Sequence, residues 1–295
     1  MSTEWQELPT RPMYWSVRRE LWENRSIYLA PLVVAAIALF ASSINTLASL
    51  PRKMRLLSAL DPAKQSHAVV QPFSMVASVI LLTGFLVAVF YCLEALQSER
   101  RDRSILFWKS LPVSDRTTVL SKASIPFAVI PLLCFAIALA VQIILLMLST
   151  VVMAGSGLNP AMLWARLPLI QMTLVMFYGL LVHVLWFAPI YGWLLLLSAW
   201  TRRMTFLWAV LPFAAILIVE RIALGTSHFA SLLRYRLMGA MTEAFAVDAS
   251  RAPVTALSQL DPLRFLTSSG LWIGLLLAAG CLAAAVRLRR KREPI

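Results

Sequence analysis

The chain has 295 residues, 60 % of them hydrophobic and 14 % charged, with a mean hydropathy of +0.76 and a formal net charge of +13. Soluble domains carry about 25 % charged residues, so the composition excludes a soluble globular protein. Apolar runs of about twenty residues recur, without the short alternating segments of an outer-membrane barrel, and the reading is an all-α integral membrane protein.

The first apolar run begins only near Ile27, after a polar, Trp-containing stretch, which predicts that no signal peptide is cleaved. Within residues 1–26, a helix is expected from Pro12, where proline suits an early helical position. Its wheel places Tyr14, Trp15, Val17, Leu21 and Trp22 on one arc and Ser16, Arg19, Glu20 and Glu23 opposite. Tryptophans on the apolar arc, with Arg18 and Arg25 snorkelling from it, describe an amphipathic helix lying in the membrane interface. Trp15, Arg18 and Trp22 are its candidate interfacial residues. The bland alternative is a frayed lead-in.

Six spans are expected within the transmembrane domain 27–286, at residues 27–47, 73–95, 125–153, 167–199, 206–224 and 265–286. Six crossings put both termini on one side. If that side is the cytoplasm, the inner segments hold 17 of the 27 Lys and Arg residues, including the basic tail 287–295, as the positive-inside rule requires. The charge excess is therefore a matter of topology, and nucleic acid is not expected as a partner. The fourth run, about 33 residues at about 1.5 Å each, approaches 50 Å against a core of about 30 Å. It is predicted to tilt, kink at Pro189 and project into the cytoplasm instead of forming a seventh span. The outer segments are 48–72 and 225–264. In the second, residues 227–245 read as a helix lying at or dipping into the outer leaflet, or as part of a folded exterior loop.

The inner loop 97–124 is the most informative element. Glu99, Arg100 and Arg103 precede the apolar run Ile105, Leu106, Phe107 and Trp108, and Lys109 follows it before Leu111–Pro112. Four consecutive exposed apolar residues require cover. A short helix seated in a partner's groove, with Arg100, Arg103 and Lys109 on the rim, supplies it; embedding in headgroups is the alternative. Pro112 stops that helix and Ser114 caps the next.

Ionisable residues near or within the spans are candidates for a pathway or a hinge. Glu94 is placed to hold the loop through Arg100 or a neighbouring span, or to sit at the headgroups. His183, mid-span, reads first as a hydrogen-bonded packing residue and second as a pathway residue. Glu220 and Arg221 are expected to close or orient the outer segment more than to bind substrate. Cys92, Cys134 and Cys281 all fall in spans without CxxC spacing and read as packing residues.

Catalysis finds no support. Gly155–Ser156–Gly157 lies in a Gly-, Asn- and Pro-rich connection that turn chemistry explains, and His67, His183 and His228 are isolated, without a metal-binding motif. No GxxxxGK[ST] phosphate loop exists among only ten glycines, so any ATP must be handled by another chain.

The run from Glu99–Arg100 to Ile105–Leu106, followed by Leu111–Pro112–Val113–Ser114 and Lys122, resembles the loop after the second span of ABC-2 type permeases, the transmembrane subunits of ABC exporters. Six spans, an N-terminal interfacial helix and a sizeable segment before the last span are similar to that family as well. Arg103–Ser104 stands where many members have a Gly-Thr pair, which leaves subfamily and substrate open. The resemblance implies that residues 104–110 form a cytoplasmic coupling helix, with Glu99, Arg100, Arg103, Ile105, Leu106, Phe107, Trp108 and Lys109 contacting a separate ABC ATP-binding subunit. It further implies a second permease copy or paralogue in a two-plus-two assembly, ATP and Mg on the partner alone with no cofactor in this chain, export as the direction, and the bacterial cytoplasmic membrane as the location. Pro126, Pro131 and Pro189 are the expected pivots. A proton- or ion-coupled secondary transporter is the competing reading, with sparse mid-span charges and dissimilar halves against it.

Overall fold

The computed structural model describes residues 12–57, 62–98, 114–246 and 257–291. Among them there is no β-strand, only an isolated antiparallel bridge between Phe245 and Leu260. In chain order the helices are α1 (Pro12–Glu23), α2 (Ser26–Leu57), α3 (Pro62–Glu94), α4 (Asp115–Ser124), α5 (Ile130–Gly155), α6 (Ala161–Arg166), α7 (Leu169–Trp200), α8 (Thr205–Val219), α9 (His228–Ala244), α10 (Pro262–Thr267) and α11 (Ser269–Lys291). Six stretches are long and apolar enough to cross a membrane: Ser26–Met54, Ala68–Glu94, Asp115–Gly155, Leu169–Trp200, Thr205–Leu224 and Ser269–Lys291. The chain is a helical, multi-pass membrane protein.

One cluster of buried side chains holds α2, α3, α5 and α7 together, from Ile27 and Ile80 to Leu146 and Tyr191. Small residues allow the closest approaches, as packing between membrane helices requires. A Cβ on Gly84 would lie 2.5 Å from Cys134 Sγ, and one on Gly192 would lie 3.1 Å from Ala278 Cα. All three cysteines are free and buried, in keeping with packing roles. α7 and α11 run antiparallel along a long interface, with Ala199 beside Ala285 at one end and Trp186 beside Leu271 at the other.

Several expected boundaries are corrected. The outer segment 48–72 is largely helical, because α2 continues to Leu57 and α3 starts at Pro62. The last span begins at Ser269, not Phe265. Asp261 caps the short helix α10 by accepting from Arg264 N at 3.0 Å, and Ser268 is extended, which breaks the path between them. α7 is a single helix of 32 residues with Pro189 inside it. In its last turn Ala199 shares a buried cluster with Leu96 and Ala285, and in its first half Tyr178 meets Phe245 edge-on.

α4 and α5 are joined by a π-helical turn, Ile125–Val129, that contains Pro126. Pro126 has no N–H for the Lys122 carbonyl, which instead accepts from Ile125, and Ile130 N–H reaches back five residues to the Ile125 carbonyl. Wide turns of this kind mark bends in otherwise continuous helices. The connection between α7 and α8 is tighter, and Met204 adopts a left-handed conformation there (φ 56°).

Candidate functional site

The inner loop leaves α3 and returns to α4 from two fixed feet. At the first, Leu96 and Gln97 donate their backbone N–H groups to Ser198 Oγ at 2.9 and 3.0 Å. Gln97 also donates to the Arg202 carbonyl at 3.2 Å and accepts from Thr205 Oγ1. At the second, Ser114 Oγ caps α4 by accepting from Thr117 N at 3.1 Å, as the sequence suggests, and Arg289 Nε donates to Asp115 Oδ1 at 3.2 Å. The ends of α3, α7 and α11 and the starts of α4 and α8 therefore meet on one side of the bundle.

α1 joins this assembly through a buried ion pair. Lys122 Nζ donates to Glu20 Oε1 at 2.8 Å, Arg19 donates to the same oxygen at 2.9 Å, and Tyr91 Oη donates to Glu20 Oε2 at 2.8 Å. Glu20 and Lys122 retain only 1 % and 2 % of their exposure. Burying both charges is costly, and only full hydrogen bonding of each oxygen offsets it. Three segments distant in sequence thus share one carboxylate: α1, the last turn of α3 before the loop, and the last turn of α4 after it.

This arrangement corrects the expected orientation of α1. Glu20, assigned to the face opposite the apolar arc, points into the protein. Val17 and Leu21 pack partly against the core, while Tyr14, Trp15 and Trp22 stay exposed. Arg18 spans the outer aromatics, its guanidinium carbon 5.3 Å from the Trp15 ring centre and 4.7 Å from that of Trp22. Nothing in the sequence pairs Glu20 with Lys122, which lies 102 residues away.

The remaining candidates fall in different places. Glu99, Arg100, Arg103, Ile105, Leu106, Phe107, Trp108 and Lys109 lie outside the described residues. Glu94 is exposed on the last turn of α3 and has no ion pair to a described residue. His183 Nε2 lies 3.0 Å from Tyr191 Oη, its ring stacked on Phe187 and edge-on to Phe85. That is an aromatic box in the core, next to the buried Pro189.

Glu220 is buried at the far end of α8 and caps α9, accepting from Phe229 N at 3.0 and 3.1 Å and from Thr226 Oγ1 at 3.1 Å. Its neighbour Arg221 is exposed. α9 matches the helix expected over 227–245 to within a residue at each end. It is fastened by Arg236, a residue that sequence reasoning missed. Arg236 donates to the Gly270 carbonyl at 2.9 Å and to the Trp186 carbonyl, while Trp186 Nε1 donates back to the Arg236 carbonyl at 2.8 Å. Its guanidinium sits 4.7 Å from the Trp186 ring centre. Burial pulls the Arg236 side chain below its ordinary pKa, but a guanidinium starts so high that it stays charged. The clamp ties the outer segment to α7 three residues before Pro189.

No catalytic constellation accompanies these features among the described residues. Ser156 Oγ is engaged with the Val152 carbonyl at 2.8 Å in a turn closed by Gly157 (φ 71°). No cluster of three His, Cys, Asp or Glu side chains suited to a metal occurs among the described residues.

Comparison with protein-family models, with curated proteins and with solved structures finds no match for this chain.

Proposed function

We propose that the chain is the permease subunit of an ABC-2 type exporter, driven by ATP hydrolysis on a separate nucleotide-binding subunit. The observation that carries this reading is the Glu20 carboxylate, shared by α1, α3 and α4 where the charged and aromatic inner loop leaves and returns. A loop on rigid feet transmits displacement to the helices it joins, whereas a slack connector absorbs it.

In this reading α1 lies in the cytoplasmic interface of a bacterial inner membrane, with Trp15, Trp22 and Arg18 at the headgroups. Residues 104–110 form the coupling helix, and both termini are cytoplasmic. Force on the loop tilts α3, and through α4 and the π-helical turn at Pro126 it tilts α5. Pro131 and Pro189 are the further pivots. α8 buries only 6 % of its most apolar stretch within the chain, so its flanks are left for lipid and a second permease copy.

An ion-coupled carrier is the competing account. Such carriers place titrating groups along a polar path, and the described mid-span histidine is enclosed by Phe85, Phe187 and Tyr191 instead.

The test is co-expression with the ATP-binding protein encoded beside the gene, followed by purification through a tag on this chain. The ATPase is expected to co-purify, and the Phe107→Ala, Trp108→Ala double variant is expected to lose it while still inserting into membranes. Unchanged association in the double variant would remove the docking assignment.

A further inference from the structure

α2 carries a polar stripe that neither the packing nor the proposed coupling uses. Ser42, Asn45, Thr46, Ser49 and Lys53 recur at spacings of one, three and four residues, so they share one face of the helix. That face lines a cleft of about 80 Å³ between α2, α3 and α5. The opposite side of α2 is ordinary lipid-facing surface, with Phe40, Ile44 and Leu47 exposed. Across the cleft the wall is apolar, formed by Val69 and Phe73 of α3 and Leu145 of α5, with Ser149 Oγ at its edge turned back to the Leu145 carbonyl at 2.7 Å.

The polar wall is not satisfied by the chain. Asn45 Oδ1 accepts from Ser49 Oγ at 2.9 Å and from Lys53 Nζ at 3.4 Å, but Asn45 Nδ2 and the hydroxyls of Ser42 and Thr46 have no partner among the described residues. Lys53 has no carboxylate beside it there either. The half-buried hydroxyls of Ser42 and Thr46 are costly to leave unmet on a membrane helix, the exposed Asn45 amide is open to an incoming acceptor, and the space suffices for several water-sized groups.

Depth supplies the second argument. Asn45 lies nineteen residues beyond Ser26, a rise of about 28 Å, which is close to the thickness of the hydrocarbon core. The stripe therefore reaches the boundary opposite the inner loop, with Lys53 one further helical stretch outward. A cation at headgroup level, hydroxyl and amide donors below it and an apolar wall facing them match a molecule with an anionic head and a hydrocarbon tail.

We infer that this cleft binds a phosphate-bearing amphiphile, its phosphate on Lys53 and Asn45 and its chain along Val69 and Phe73. The site stands whether or not the chain is a permease. The occupant is a lipid, not a free anion, because the apolar wall is continuous with the donor wall.

The full chain is reconstituted in nanodiscs of phosphatidylcholine and phosphatidylglycerol, and lipid adducts are read by native mass spectrometry. Phosphatidylglycerol is expected to be enriched in the adducts over its share of the nanodisc. Lys53→Gln is expected to reduce that enrichment about fivefold, the effect of one lysine at the headgroup, and Lys53→Arg to preserve it. Asn45→Leu is expected to reduce it as well. Lys53 and Arg52 are both exposed, but only Lys53 lines the cleft, so Arg52→Gln removes an adjacent charge outside the cleft and is expected to change nothing. Equal loss in Arg52→Gln would reduce the effect to diffuse surface charge and overturn the site. Displacement by about 10 mM inorganic phosphate would mean a bare anion site and also overturn it. If Lys53→Gln and Asn45→Leu alter only the monomer–dimer distribution, with adducts unchanged, the stripe is an interface between copies and the inference fails.

Discussion

Glu20 and Lys122 meet at 2.8 Å with almost no solvent access, and Tyr91 completes the coordination of the carboxylate. Removing one member of such a pair takes from a buried charge its closest counter-charge, and Arg19 and Tyr91, which still hold Glu20, offset only part of a cost that reaches about 3–5 kcal/mol when a buried pair is broken. Lys122→Met and Glu20→Met are each expected to lower the melting temperature of the purified chain sharply. The Glu20→Met, Lys122→Met double variant is expected to melt above either single one. Additive losses in the double variant would mean that the two residues act independently.

Gly192 sets the distance between α7 and α11. A side chain there meets the backbone of Ala278, its Cα at 3.1 Å and its oxygen at 3.2 Å, and backbone cannot swing aside. Gly192→Leu is expected to cost about 1–3 kcal/mol through overpacking. Gly280, which faces open space, should tolerate the same change, and a thermal-shift comparison of the two variants checks the difference.

Met204 offers a gain. Its left-handed backbone costs a non-glycine residue about 1–2 kcal/mol, and its side chain is 69 % exposed, so little packing is lost on truncation. Met204→Gly is expected to raise the melting temperature, or at least leave it unchanged after the larger unfolded-state entropy of glycine is subtracted. A marked fall would mean that the Met204 side chain makes a contact of its own, for example with lipid.

Arg236 fastens the outer helix to α7 and α11. Arg236→Gln keeps a donor but loses the fork that spans Trp186 and Gly270. Limited proteolysis from the outer side is expected to cut residues 225–264 faster in this variant, while the inner loop is cut at the wild-type rate. Equal protection would show that Glu220 and the apolar contacts of Phe245 and Phe265 suffice.

Much of this molecule is legible in the sequence, for identifiable reasons. Twenty-residue apolar runs announce spans because a bilayer leaves helices no alternative. Ser114 and the helix over 227–245 are visible because caps and amphipathic spacing are local. The last span starts four residues later than its apolar run suggests, because that run reaches back to Phe265, although the Asp261–Pro262 pair is a readable cap signal. The site was less legible. A glutamate on the polar side of an amphipathic wheel is as consistent with water as with a partner, and nothing local in residues 12–23 reveals Lys122 or Tyr91. Arg236 is similar: its spacing from Leu233 and Ala240 puts it on the buried arc of α9, but its two acceptors are main-chain carbonyls of other helices, which leave no trace in side-chain pattern.

The most direct test of the central claim, that the inner loop and its two feet receive force from an ATPase, is ATP turnover by the purified complex in nanodiscs. The account predicts hydrolysis that rises when this chain is present and falls back to the level of the isolated ATPase in the Phe107→Ala, Trp108→Ala variant. Equal turnover with and without the chain, under conditions where the two proteins remain bound, would contradict it.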